Sequence, residues 1–239
     1  MELWRHFFEY TLTKEQLYVV VAVISFTFTA SGIAAVTSFR NDMRKMSWVI
    51  SFVNSLVLTV LGSVYFVIHF TDIIADGRAT FHTINDAAVL ISIWLCLANI
   101  FDLLFGLIFY RAHLDPLTAY VHHTLYVWIT IVAAFGTGGF ATFEPFAGGI
   151  AMLLIEELPT FLLATGYIFP SLRTDVGFGV TFLLFRIIFH AVMMAYHFYS
   201  GISHLTCGLY VVTMTMHMFW FFSWAKKYGV KLFKNSKSL

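Results

Sequence analysis

The chain alternates long apolar runs with short polar breaks, and the length of the runs decides how they read. Between breaks they cover residues near 16–38, 47–70, 86–110, 117–135, 145–169, 177–200 and 203–225. A helix needs roughly 20 apolar residues to cross a bilayer core about 30 Å thick, and within lipid every backbone N–H and C=O must find its partner inside the segment. The pattern therefore predicts an all-α integral membrane protein with about seven transmembrane helices, in a single domain covering 1–239. Helix starts carry their own chemistry. Thr13 with Gln16 fits a capping box, Asn85 or Asp86 can cap the third span, Asp115 with Pro116 starts the fourth, and Thr174 or Asp175 the sixth.

Composition agrees. Hydrophobic residues make up 59% of the chain and charged ones 11%, against about 45–50% and 25% in an ordinary soluble domain. A net charge of +1 gives no footing for nucleic acid. Cys96 and Cys207 both fall inside apolar runs and have neither disulfide nor metal-ligand spacing.

The basic residues fix a direction. Arg40, Arg44, Lys45, Arg111, Arg173, Lys226, Lys227, Lys231, Lys234 and Lys237 fall on one side of a seven-span arrangement, while Arg5, Lys14 and Arg78 fall on the other. The lysine-bearing tail is thus expected on the cytoplasmic or an equivalent inner side. Glu2, Glu9 and Glu15 fit neither a signal peptide nor a transit peptide, so the first span is expected to be retained. The closing KNSKSL lacks the second lysine of an endoplasmic reticulum retrieval signal. The endoplasmic reticulum and the mitochondrial inner membrane both stay open.

Asp102, Glu156, Glu157 and Arg186 lie inside spans. At roughly 2.5–3.5 kcal/mol each on insertion scales they cannot face lipid and must turn inward. With a rise of about 1.5 Å per residue, Ser51 and Asn54 lie roughly 6–10 Å from the inner face, the His122–His123 pair about 8 Å, Asp102 about 12 Å, Arg186 about 14 Å and Glu157 about 18 Å. These depths predict one inward-opening cavity with a polar mouth over an apolar floor, suited to an amphiphile.

Adjacent histidines sit about 100° apart around a helix and cannot both aim at one ion, so no metal site is expected from that pair. Two readings remain for it. In one, a histidine bonds Asp102 and its neighbour packs at a helix interface; in the other, one histidine is a general base for acyl transfer, oriented by Asp102 or Glu157. Arg186 and His190 share a face of the sixth span, where Arg186 holds either a lipid phosphate or carboxylate, or a carboxylate partner at Asp102 or Glu157. Pro159 is expected to bend the fifth span beside the glutamates. Ser51, Ser55, Thr59 and Gly62 read as a close-packing seam. His217, Thr213, Met193 and Met194 read as packing residues.

In order along the chain, WVISFVNS, IFDLLFGLIFY, VHHTLYVWIT, IEELPTFLLATGY and FLLFR resemble the motifs of TLC-domain proteins. That family includes the ceramide synthases and small multi-span proteins of phospholipid homeostasis. Ceramide synthases carry two aspartates three apart after the histidines; here the matching helix has Glu156 and Glu157, and Pro159 stands where the family's serine would. The chain is therefore more similar to the small branch.

The resemblance implies six helices in a barrel around a lipid cavity, with the remaining helix peripheral. It implies candidate catalytic residues His122, His123 and Asp102, and lipid-binding residues Glu157, Arg186, Asn54 and Ser51, to which helical spacing from Arg186 adds His190. The expected ligand is a membrane lipid, either a phospholipid or acyl-CoA, and no other cofactor is identified. The rival expectation is a non-catalytic accessory subunit of a larger membrane complex, holding a structural lipid.

Overall fold

In the computed structural model, residues 13–136 and 145–236 are described. The amino-terminal Glu2, Arg5 and Glu9 and the terminal Lys237 lie outside them. Every regular element among the described residues is helical. The main helices are α1 (Lys14–Ser38), α2 (Met43–Ala75), α3 (Asp86–Phe109), α4 (His122–Phe135), α5 (Ala147–Ile168), α6 (Asp175–Tyr199) and α7 (His204–Ser236). The short helix Gly77–Phe81 links α2 to α3. The first three helices, α5 and α6 are long and apolar enough to cross a membrane, which makes the chain an integral membrane protein of all-α class. The 14-residue α4 is too short on its own and is entered through a π-type turn, Pro116–Val121.

The caps follow the side-chain chemistry. Thr13 and Gln16 close a reciprocal box at the start of α1. Asn85, rather than Asp86, accepts from the Ala88 N–H at 2.8 Å, and Thr174, rather than Asp175, accepts from Gly177 at 3.0 Å. Asp115 accepts from the Leu117 N–H beside Pro116. The last helix continues to Ser236, well past the expected end near 225.

Packing follows the small residues. α1 buries only Ile24, Phe28, Gly32 and Ala35, one narrow strip set against α2 and α3. α5 is instead drawn inside. Over its apolar window 56% is buried, against 22–39% in the other four long apolar helices, and it touches α2, α3, α4 and α6. Glycines permit this. A Cβ on Gly62 of α2 would come within 2.7 Å of Leu154 Cβ and 2.8 Å of its backbone, and one on Gly148 within 2.5 Å of the Thr80 carbonyl. Gly62 and the buried Ser55 thus form the expected seam. α5 thus packs among four other helices of the bundle.

α5 is not one regular helix. After Leu153 it tightens into a 3-10 turn, Leu154–Glu157, and resumes at Leu158 with Pro159 in its first turn. Pro159 has no N–H to continue the ladder, so the irregular turn falls on the two glutamates. α6 has the opposite distortion, a π-type segment Phe182–Phe189 around Arg186.

Candidate functional site

The inward-turning charges meet at two centres. The first lies near the basic end of the bundle, where α2, α3 and α4 converge. Asp102 is 7% exposed, and its Oδ1 accepts from the Tyr110 hydroxyl at 2.6 Å. Its Oδ2 lies 3.6 Å from His123 Nε2 and accepts a long 3.5 Å contact from Ser51. Tyr110 sits just beyond the end of α3 and folds back over it, a partner that nothing in the spacing announced. His122 packs instead, its ring 4.5 Å from that of Tyr126 and edge-on to Trp220 at 5.1 Å. His123 thus faces Asp102 just beyond hydrogen-bond distance, while His122 packs. The Nδ1 atoms of both histidines, and Asn54 Oδ1, are buried with no hydrogen-bond partner among the described residues.

The second centre lies deeper, between α5, α6 and α7. Arg186 is 6% exposed. Its Nη2 donates to Glu157 Oε1 at 2.9 Å and Thr160 Oγ1 at 2.6 Å, and its Nε to the Glu156 carbonyl at 2.8 Å. That carbonyl belongs to the irregular turn of α5, where the regular ladder is interrupted. Of the two carboxylates open to Arg186 from the sequence, Glu157 is the partner and Asp102 is not. Glu156 turns the other way, to His190 Nδ1 at 2.9 Å. His190 Nε2 faces the Tyr210 carbonyl at 3.1 Å and Thr213 at 3.2 Å. His217 Nδ1 lies 3.0 Å from the Arg186 carbonyl and 3.9 Å from Glu156 Oε2. His217 and Thr213, read from sequence as packing residues, are members of this centre. A lone histidine in an apolar helix carries no signal that could have placed it there.

A cavity of about 50 Å³ adjoins the second centre. Its walls include Leu95, Ile129, Ile150 and Leu154, and Glu156, Glu157 and His190 supply its polar side. Phe81, Phe146 and Thr206 also line it, so it extends from mid-depth toward the end of the bundle opposite the lysine-bearing tail. The expected mouth was at the tail-bearing end. The difference arises because depth along a helix locates polar groups, whereas the void depends on how the side chains of several helices meet, with the Phe81 ring filling the space beside Gly149. Of the residues assigned to lipid binding, Glu157 and His190 border this space; Arg186 stands behind Glu157, and Ser51 and Asn54 do not line it. His122, His123 and Asp102 do not line it either. The volume fits a few waters or the end of one acyl chain and is well below the roughly 300–1,000 Å³ of a site enclosing a drug-sized ligand.

Compared with protein-family models, curated proteins and solved structures, the chain matches none of them.

Proposed function

We propose that this is a seven-span membrane protein of lipid metabolism or membrane lipid homeostasis, akin to the small TLC-domain proteins. It holds the end of a lipid acyl chain in the cavity beside Glu156, Glu157 and His190. The observation that carries this is the cavity's make-up, aliphatic walls from four helices meeting a polar centre whose carboxylates are paired. Such a wall matches an acyl chain as closely as the bilayer's own hydrocarbon does, and the paired carboxylates add no free charge to repel it. The tail-bearing end lies on the inner side, which is where ten of the fourteen basic residues fall. Native mass spectrometry of the detergent-purified protein is expected to show one retained lipid per chain, reduced by Ile150→Phe, which fills the cavity. Absence of retained lipid from folded wild-type protein overturns the reading.

A second reading makes the protein an acyltransferase acting from acyl-CoA on a lipid amine or hydroxyl, with His123 as base and Asp102 orienting it. It is favoured by the contact between those two side chains and by the unpartnered Nδ1 atoms of His122 and His123. Loss of turnover in a folded His122→Ala/His123→Ala double variant supports it. Purification in a stoichiometric complex, with the isolated chain inactive, supports the accessory-subunit alternative instead.

A further inference from the structure

We propose that Glu156, His190 and His217 form a binding site for a divalent metal ion of the zinc class. The three come from α5, α6 and α7, and one donor atom of each lies within 4.8 Å of the other two. All three side chains are buried, at 6%, 2% and 1% exposure. Two imidazoles and one carboxylate are a donor set of borderline hardness, suited to zinc or cobalt and poorly suited to magnesium or calcium.

The distances are close to what an ion needs. Bonds of about 2.1 Å in a tetrahedral site place neighbouring donors about 3.4 Å apart. Glu156 Oε1 and His190 Nδ1 are 2.9 Å apart, and Glu156 Oε2 and His217 Nδ1 are 3.9 Å apart. An ion therefore replaces the proton between Glu156 and His190 and draws His217 inward. His217 gives up its contact with the Arg186 carbonyl in doing so.

The surroundings also fit. A metal-bound histidine usually donates its other ring N–H to a carbonyl or carboxylate, which fixes the ring. His190 Nε2 already faces the Tyr210 carbonyl at 3.1 Å, leaving Nδ1 for the ion. The charge of Arg186 is taken up by Glu157 at 2.9 Å, so it does not compete for Glu156, whose carboxylate bonds His190 instead. Because Glu156 and His190 also border the cavity, a ligand can reach the ion from that side. Three protein donors plus one cavity-facing position is the arrangement of reactive zinc sites, whereas structural sites close all four. The glutamates, Arg186 and a divalent ion together leave one positive charge, which an anionic group entering through the cavity balances.

The test is cobalt loading of the purified full-length protein, after chelator treatment and removal of the chelator. Wild type is expected to bind about one equivalent, with the visible absorption bands of four-coordinate cobalt, and zinc should displace it. His217→Cys should retain the ion and add a thiolate-to-cobalt charge-transfer band, while Glu156→Gln should lose at least tenfold in affinity. His122→Ala, outside the donor set, should bind as wild type does. Folded wild type that takes up no cobalt or zinc above a detergent blank overturns the proposal, whatever the variants do. So does binding that is undiminished in Glu156→Gln and shows no thiolate-to-cobalt band in His217→Cys. Lipid retention is read separately, so failure here leaves the acyl-chain reading standing.

Discussion

Arg186 and Glu157 are joined at 2.9 Å between α6 and α5, and the same guanidinium also holds the Glu156 main-chain carbonyl and the Thr160 hydroxyl. One side chain thus ties two helices at the place where α5 loses its regular ladder. Arg186→Ala leaves a buried carboxylate and a carbonyl without their donor, and should cost about 3–5 kcal/mol. Arg186→Lys should recover only part of this, because an ammonium cannot reproduce the fork that serves Nε and Nη2 partners together. Thermal unfolding followed by size-exclusion chromatography would order the three proteins; equal stability of the alanine and lysine variants would contradict the fork.

Tyr110 and Asp102 form the shortest contact of the shallower centre, at 2.6 Å. Tyr110→Phe keeps the packing and removes the donor, so the carboxylate is left with the long Ser51 contact and His123. A loss of about 1–3 kcal/mol is expected in denaturant unfolding. The companion Tyr110→Phe/Asp102→Asn protein should recover part of that loss, since no buried charge is then left short of donors.

At Gly62 the space for a side chain is already taken by Leu154, including its main chain. Gly62→Val should force α2 and α5 apart and cost about 1–3 kcal/mol. Faster hydrogen exchange in Leu154–Glu157 than in α1 would localise the damage to this seam.

Asn85 caps α3 through its Oδ1 and reaches the Tyr65 hydroxyl through Nδ2 at 3.3 Å. Asn85→Ala should lower stability by about 1 kcal/mol, and Asn85→Asp, which keeps the cap, by less. In a melting experiment the difference between the two isolates the cap, and the remaining shortfall of Asn85→Asp from wild type reports the lost Nδ2 contact with Tyr65.

These sites were unequally legible in the sequence. Thr13, Asn85 and Thr174 announce helix starts because a cap needs only neighbours along the chain. The inward turn of Asp102, Glu157 and Arg186 follows from the cost of charge in lipid, which also narrowed the partner of Arg186 to two carboxylates. Choosing between those two needed the placement of α5. The same holds for His217, whose approach to Glu156 depends on three helices meeting, and for Tyr110, whose return to Asp102 depends on how the chain leaves α3. The position of the cavity was least accessible. It follows from how side chains of several helices meet, and that void exists only once the helices are packed.

The wide turn at Phe182–Phe189 carries one further consequence. A π-type turn accommodates a residue more than an α-turn while keeping the helix on either side in phase. Removing one of the lipid-facing pair Leu183 and Leu184 should therefore let the segment close into ordinary α-helix, with Thr174 at one end and His197 at the other still meeting their neighbours. The same deletion in the regular α3 would swing everything beyond it by about 100°. Tolerance to a shortened chain is thus expected beside the heavily bonded Arg186, at one of the two π-type turns among the described residues.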